Sequence, residues 1–194
     1  RTATITVITE DGGKTATCTV TVEPGDPLKS SRTVLVYVAA DNTLSGFALP
    51  DFEEMKVGMA KVEDVDVNFL VYIDKGGSPQ LLELKNENGT VVEKVVKTYS
   101  SRNSVGVSAF PLSVVISVFL VFSNTQYQAD SYGLVYWSHG DGWLPYPLGA
   151  NTRWVGQDIG NGDKRMNISE FVEILETAPH FDFMLFDACF MQSV

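Results

Sequence analysis

Four nearly continuous apolar runs limit what this chain can fold into. They are Arg32-Thr-Val-Leu-Val-Tyr-Val-Ala-Ala40, Val67–Ile73, Gly133–Trp137 and Phe181–Phe186. None keeps the polar and apolar alternation of a half-exposed strand, so each reads as a strand covered on both faces. Between the first two, residues 50–61 place Phe52, Met55 and Met59 at helical spacing. Asn167-Ile-Ser-Glu170 opens another helix, with Asn at the cap and Glu three residues later. Asn88-Gly89 between residues 80–85 and 90–97 signals a hairpin. Strands alternating with helices predict an α/β domain with a mostly parallel sheet over residues 32–194.

The first residues follow a different rule. Residues 2–8 alternate Thr with Ala3, Ile5 and Val7, Asp11-Gly12-Gly13 gives a turn, and residues 15–22 alternate again. This predicts a hairpin with one apolar face, which does not stand alone in water. Its pattern resembles the closing strands of a bacterial Ig-like β-sandwich, which assigns residues 1–22 to such a domain and 23–31 to a linker rich in Pro, Gly and Ser. Cys18 lies on the apolar face and reads as a small buried core residue. Residues 105–122 are apolar enough for a membrane span. Pro111, interspersed Ser and Gly, and the flanking strands favour a buried helix instead.

The net charge of −10 disfavours nucleic acid and anionic membrane as partners, because phosphates reward clustered Lys and Arg. Two Cys do not make a disulfide framework, and the lack of a CxxC or a Cys/His cluster counts against structural zinc. No Gly-rich phosphate loop follows a strand, which counts against a flavodoxin-like binding domain.

Two of the apolar runs end in reactive residues, Ser138-His139-Gly140 and Asp187-Ala188-Cys189. Parallel sheets gather functional residues beyond the carboxyl ends of their strands. A Cys nucleophile needs an imidazole to raise its thiolate fraction. It also needs N–H donors for the oxyanion, and the backbones of Gly140 and Cys189 are candidates. His139 lies 50 residues upstream of Cys189, the order and interval of caspases. Spacing alone leaves open a satisfied loop His and a structural Cys.

Tyr136-Trp-Ser-His-Gly-Asp-Gly-Trp143 and Phe186-Asp-Ala-Cys-Phe-Met191 resemble the paired catalytic motifs of the clostripain family of cysteine peptidases. Val36–Leu44 and Gly156-Gln-Asp158 resemble that family's first strand and loop and an intermediate motif. The resemblance implies a caspase-like α/β/α sandwich and cleavage after Arg or Lys by a His139/Cys189 dyad. Gly140 and Cys189 would supply the oxyanion donors, and Asp187 would bind the basic side chain. A cap or loop carboxylate is the alternative for Asp187, and Asp141 reads as a turn former.

The resemblance also implies a secreted or cell-surface bacterial protein acting on proteins or peptides, with activation by self-cleavage. Residues 144–165 read as an exposed loop, with Arg153 as the cleavage point and Lys164 or Arg165 as alternatives. Calcium is an open cofactor, though no EF-hand loop is present. The chain stops five residues after Cys189, where a caspase-like sheet is expected to continue. The downstream remainder of the domain is therefore an expected partner. The competing reading is a catalytically silent caspase-like binding domain of an adhesin-type protein.

Overall fold

The computed structural model describes residues 2–8, 13–21, 30–62, 66–100, 114–142 and 154–191. A hairpin of β1 (Thr2–Ile8) and β2 (Thr15–Thr21) comes first, with Ile5 opposite Cys18 and Ala3 opposite Val20. The predicted alternation holds, but among the described residues nothing covers the apolar face. Ile5 is 56 % exposed and Cys18 is exposed too.

The main sheet has six strands: β3 (Ser30–Ala39), β4 (Val67–Asp74), β5 (Gln80–Glu87), β6 (Thr90–Thr98), β7 (Ala129–Trp137) and β10 (Phe183–Asp187). Their spatial order is β10-β7-β3-β4-β5-β6. The first four in that order run parallel, and β5 and β6 are antiparallel. Positive φ at both Asn88 and Gly89 makes the β5–β6 turn, as the dipeptide predicts. A second small sheet pairs β8 (Trp154–Asp158) with β9 (Lys164–Asn167).

Helix α1 (Ser45–Met59) starts five residues before the predicted span and carries Pro50 inside it. Ala48, Phe52 and Met59 bury against Val36, Val38, Val71 and Ile73 on one sheet face. The other face carries α2 (Val114–Phe119), the 3-10 turn Leu120–Ser123 and α3 (Ile168–Leu175). There Phe119, Phe171 and Ile174 pack on Leu35, Tyr37, Leu134 and Tyr136. Asn167 and Glu170 form the predicted capping box, the Asn167 N–H donating to Glu170 Oε2 at 2.7 Å.

The described end of the apolar stretch is core: Val118, Phe119, Val121 and Phe122 are buried. Residues 105–113 lie outside the described residues. No helix among those described is long and apolar enough to cross a membrane.

β10 pairs with β7 alone among the described strands, and Phe183, Met184 and Leu185 are 37–49 % exposed there. One further expectation needs correction. Residues 154–165 are not loop, because β8 and β9 form a hairpin there and bury Val155 and Met166. Its Gly and Asn residues serve the turn and a bulge, which composition alone does not separate from a loop.

A row of aromatic rings crosses the sheet on the α3 face. Tyr37 is in register with Tyr72 and Tyr136, and Tyr136 with Phe186. Tyr37 stacks on Tyr72 at 4.5 Å and on Tyr136 at 5.2 Å between centroids. Burial pushes the phenols of Tyr37, Tyr72 and Tyr136 upward, and those of Tyr99 and Tyr127 to about 12. An acid whose folded pKa is raised stabilises the fold below its unfolded value, near 10, and loses that contribution as pH rises toward the folded value. Alkaline titration should therefore unfold the protein above about pH 10. Phenolate absorbance from these five residues should rise together with the loss of far-ultraviolet circular dichroism; a separate, earlier rise would contradict their burial.

Candidate active site

The connections after β3 and β7 leave the sheet on opposite faces, the first into α1 and the second into the β8–β9 hairpin and α3. Such a reversal opens a crevice between neighbouring strand ends, and His139 lies there. Ser138 precedes it, 2 % exposed. The Ser138 hydroxyl donates to the Ala39 carbonyl at 2.7 Å and accepts from the Gln157 N–H at 3.2 Å. The carbonyl of His139 accepts from the Gly156 N–H at 2.8 Å, and the Asp141 N–H donates to the Trp154 carbonyl at 3.3 Å. These two bonds frame a Gly140–Val155 bridge and leave the Gly140 N–H off that ladder.

The Gly156-Gln-Asp158 motif now has a physical reading. Gly156 sits at a register shift with φ 83°, a bulge that only glycine takes without strain. The bulge turns successive backbone groups toward the neighbouring loops. The Gln157 carbonyl accepts from Asn42 Nδ2 at 2.7 Å. Asp158 is buried, its carboxylate accepting from the Asn161 N–H at 2.9 Å.

β10 places Cys189. Asp187 is in register with Trp137, and the Ser138 N–H donates to the Asp187 carbonyl at 3.3 Å. His139 and Cys189 therefore follow adjacent parallel strands, each two residues past the paired positions. Asp187 and Cys189 line one cavity of about 510 Å³, together with Leu44, Trp137, Ser138 and Phe190. Both residues are exposed. Phe190 has φ 60°, an outlier for a bulky residue, and such strain costs on the order of 1–3 kcal/mol. Buried Met191 anchors this turn to the core.

Gly140 lies against the same turn. A Cβ there would stand 2.8 Å from the Cys189 carbonyl oxygen and 3.2 Å from Ala188 Cβ. Asp141 is half-buried and Gly142 has φ 71°, in keeping with a turn. Lys164 and Arg165 are on β9. Arg165 pairs with Asp163 at 3.4 Å and lies over Trp154 at 4.9 Å. Arg153 lies outside the described residues. Among those described, no group of three or more His, Cys, Asp or Glu side chains is arranged to hold a metal.

Sequence reasoning missed Asn42, Thr43 and Ser138 as individual parts of the site. Thr43 Oγ1 is 2.8 Å from His139 Nε2. Asn42 and Thr43 stood in a motif noted for its resemblance, yet only folding brings a loop residue near position 139. Gly140→Ala should keep the fold and lower activity by about 10- to 100-fold, because the methyl must displace the Cys189 backbone. Steady-state kinetics beside a thermal melt would check this.

Comparison with known proteins agrees with the geometry. Residues 36–194 match the model of the clostripain family, Peptidase_C11. Clostripain of Hathewaya histolytica is 26 % identical in a 180-residue alignment that covers 82 % of this chain and 34 % of that protein. A secreted C11 cysteine protease from Bacteroides thetaiotaomicron, solved in complex with an irreversible peptide inhibitor, is 55 % identical. The match covers 84 % of this chain and 44 % of that one, with a TM-score of 0.73. An inactive zymogen C11 protease from Parabacteroides distasonis is 35 % identical over 87 % of this chain and 44 % of that one, with a TM-score of 0.62. The chain thus spans well under half the length of these relatives.

Proposed function

The chain belongs to the clostripain family of cysteine peptidases, and on that premise we propose that it carries the catalytic half of an endopeptidase cutting after Arg or Lys. His139 is the acid/base, Cys189 the nucleophile, and the backbones of Gly140 and Cys189 the oxyanion donors. The observation that carries this reading is the β7–β10 register, which sets Ser138-His139-Gly140 beside Asp187-Ala188-Cys189 at one end of the sheet.

In the proposed reaction, the Cys189 thiol gives its proton to His139 and the thiolate attacks the scissile carbonyl carbon. The tetrahedral intermediate collapses to an acyl-enzyme as His139 protonates the leaving amine. Water then attacks the acyl carbon, with His139 as base, and restores the thiol. Asp187 sits in the cavity with Cys189, where a carboxylate can pair bidentately with a guanidinium. A caspase-like classification is part of this proposal, supported by the α/β/α layering and the His-to-Cys order.

The remainder of the peptidase domain, downstream in the full protein, is the proposed partner of β10. The two sheet edges differ in a way that supports this. β6 interleaves its exposed Val92 and Val95 with Glu93, Lys94 and Lys97, charges that blunt an edge, whereas β10 offers Phe183, Met184 and Leu185 in an unbroken run. The β1–β2 hairpin is proposed to close an Ig-like domain, and the protein to be secreted or cell-surface, like the Bacteroides relative described as secreted.

Self-cleavage is proposed after Arg153. Lys164 and Arg165 are weaker candidates because β9 is held in a hairpin, and a scissile segment must be drawn out to enter a site. A silent binding domain is the second reading, and the shared cavity of Asp187 and Cys189 favours the enzyme.

In the full-length protein, Cys189→Ala should abolish peptidyl-Arg hydrolysis and leave the chain uncut by intact mass. Asp187→Asn should lower kcat/KM on basic substrates by about 100-fold or more while Cys189 still reacts with a small alkylating agent. Hydrolysis that survives loss of the sulfur would reject the mechanism.

A further inference from the structure

We propose that Thr43 is a positioning residue for His139, its hydroxyl holding the ring through Nε2 so that Nδ1 is the basic nitrogen. The inference rests on the proposed His139/Cys189 dyad.

The loop after β3 is unusually well tied for an exposed turn. The Ala40 N–H donates to the Asp74 carbonyl at 2.6 Å, and the Asp41 carbonyl accepts from the Ile159 N–H at 2.8 Å. Asn42 is 8 % exposed. Its Nδ2 donates to the carbonyls of Ala39 at 3.0 Å and Gln157 at 2.7 Å, and its Oδ1 accepts from the Leu44 N–H at 2.8 Å. Thr43 is carried on this frame with its hydroxyl 2.8 Å from Nε2.

The backbone of His139 is fixed separately, by the Gly156 N–H on its carbonyl. Backbone bonds do not set the two side-chain torsions of an imidazole. A hydroxyl on one ring nitrogen restricts them, and it also selects the tautomer. When the hydroxyl accepts from Nε2–H, the lone pair lies on Nδ1 and can take the Cys189 proton. Nε2–H keeps its acceptor after protonation, and the bond strengthens once its donor is charged. The opposite tautomer turns the lone pair onto Thr43 and leaves Nδ1 without a basic function.

The test compares Thr43→Val, Thr43→Ser and His139→Ala in the full-length enzyme. Two quantities are read: kcat and KM on a peptidyl-Arg substrate, and the pH dependence of Cys189 alkylation by iodoacetamide. Thr43→Val should lower kcat by about 10- to 100-fold with KM changed by less than about threefold. It should also move the alkylation midpoint to higher pH, because a less stable imidazolium supports less thiolate. Thr43→Ser should recover most of kcat and the original midpoint. The proposal fails if Thr43→Val matches wild type in both measurements, or if Thr43→Ser is as impaired as Thr43→Val. An active His139→Ala would instead overturn the dyad itself. An inactive His139→Ala beside an unaffected Thr43→Val would overturn the Thr43 role alone.

Discussion

Tyr37 lies between the rings of Tyr72 and Tyr136, and this aromatic row pins the register of β4, β3 and β7, while Phe186 beside Tyr136 extends it to β10. Stacked pairs contribute about 0.5–1.5 kcal/mol each beyond the area they bury. Their larger effect is on alignment. A one-residue slip of β3 would turn its ring into the space beneath α1 and carry Val36 and Val38 to the opposite face. With the register held, the loops after β3, β7 and β10 end at one level. The reactive groups meet because the strands beneath them are aligned.

Above that row the fold replaces apolar packing with a small polar lattice. Asn42 and Ser138 are buried, and their hydrogen-bonding atoms have backbone partners on β3, β8 and the neighbouring loop. Buried polar groups stabilise only when satisfied, and satisfied networks are rigid. β8 belongs to the small second sheet and not to the main one, yet it clamps the His139 carbonyl and the Asn42 amide together. Strain sits on the other side of the cavity, in the turn at Phe190, where buried Met191 holds it.

Much of this was legible from one dimension. β3, β4 and β7 follow from runs of Val, Leu, Ile and Tyr, the β5–β6 turn from Asn88-Gly89, and the start of α3 from Asn167 and Glu170. Each of those signals is local, a matter of side-chain shape or of a cap within one turn. Gly156 and its surroundings looked like loop because a bulge uses the same residues as a turn.

Local sequence is enough to give the alternating elements, the strand-end placement of His139 and Cys189, and their likeness to one peptidase family. Those depend on periodicity and on short motifs, which are properties of neighbours in the chain. That β8 braces the His139 loop and that the Thr43 hydroxyl reaches Nε2 emerge only in the folded chain. Those depend on strand order and on which face each connection takes, settled when distant segments compete to bury the same sheet.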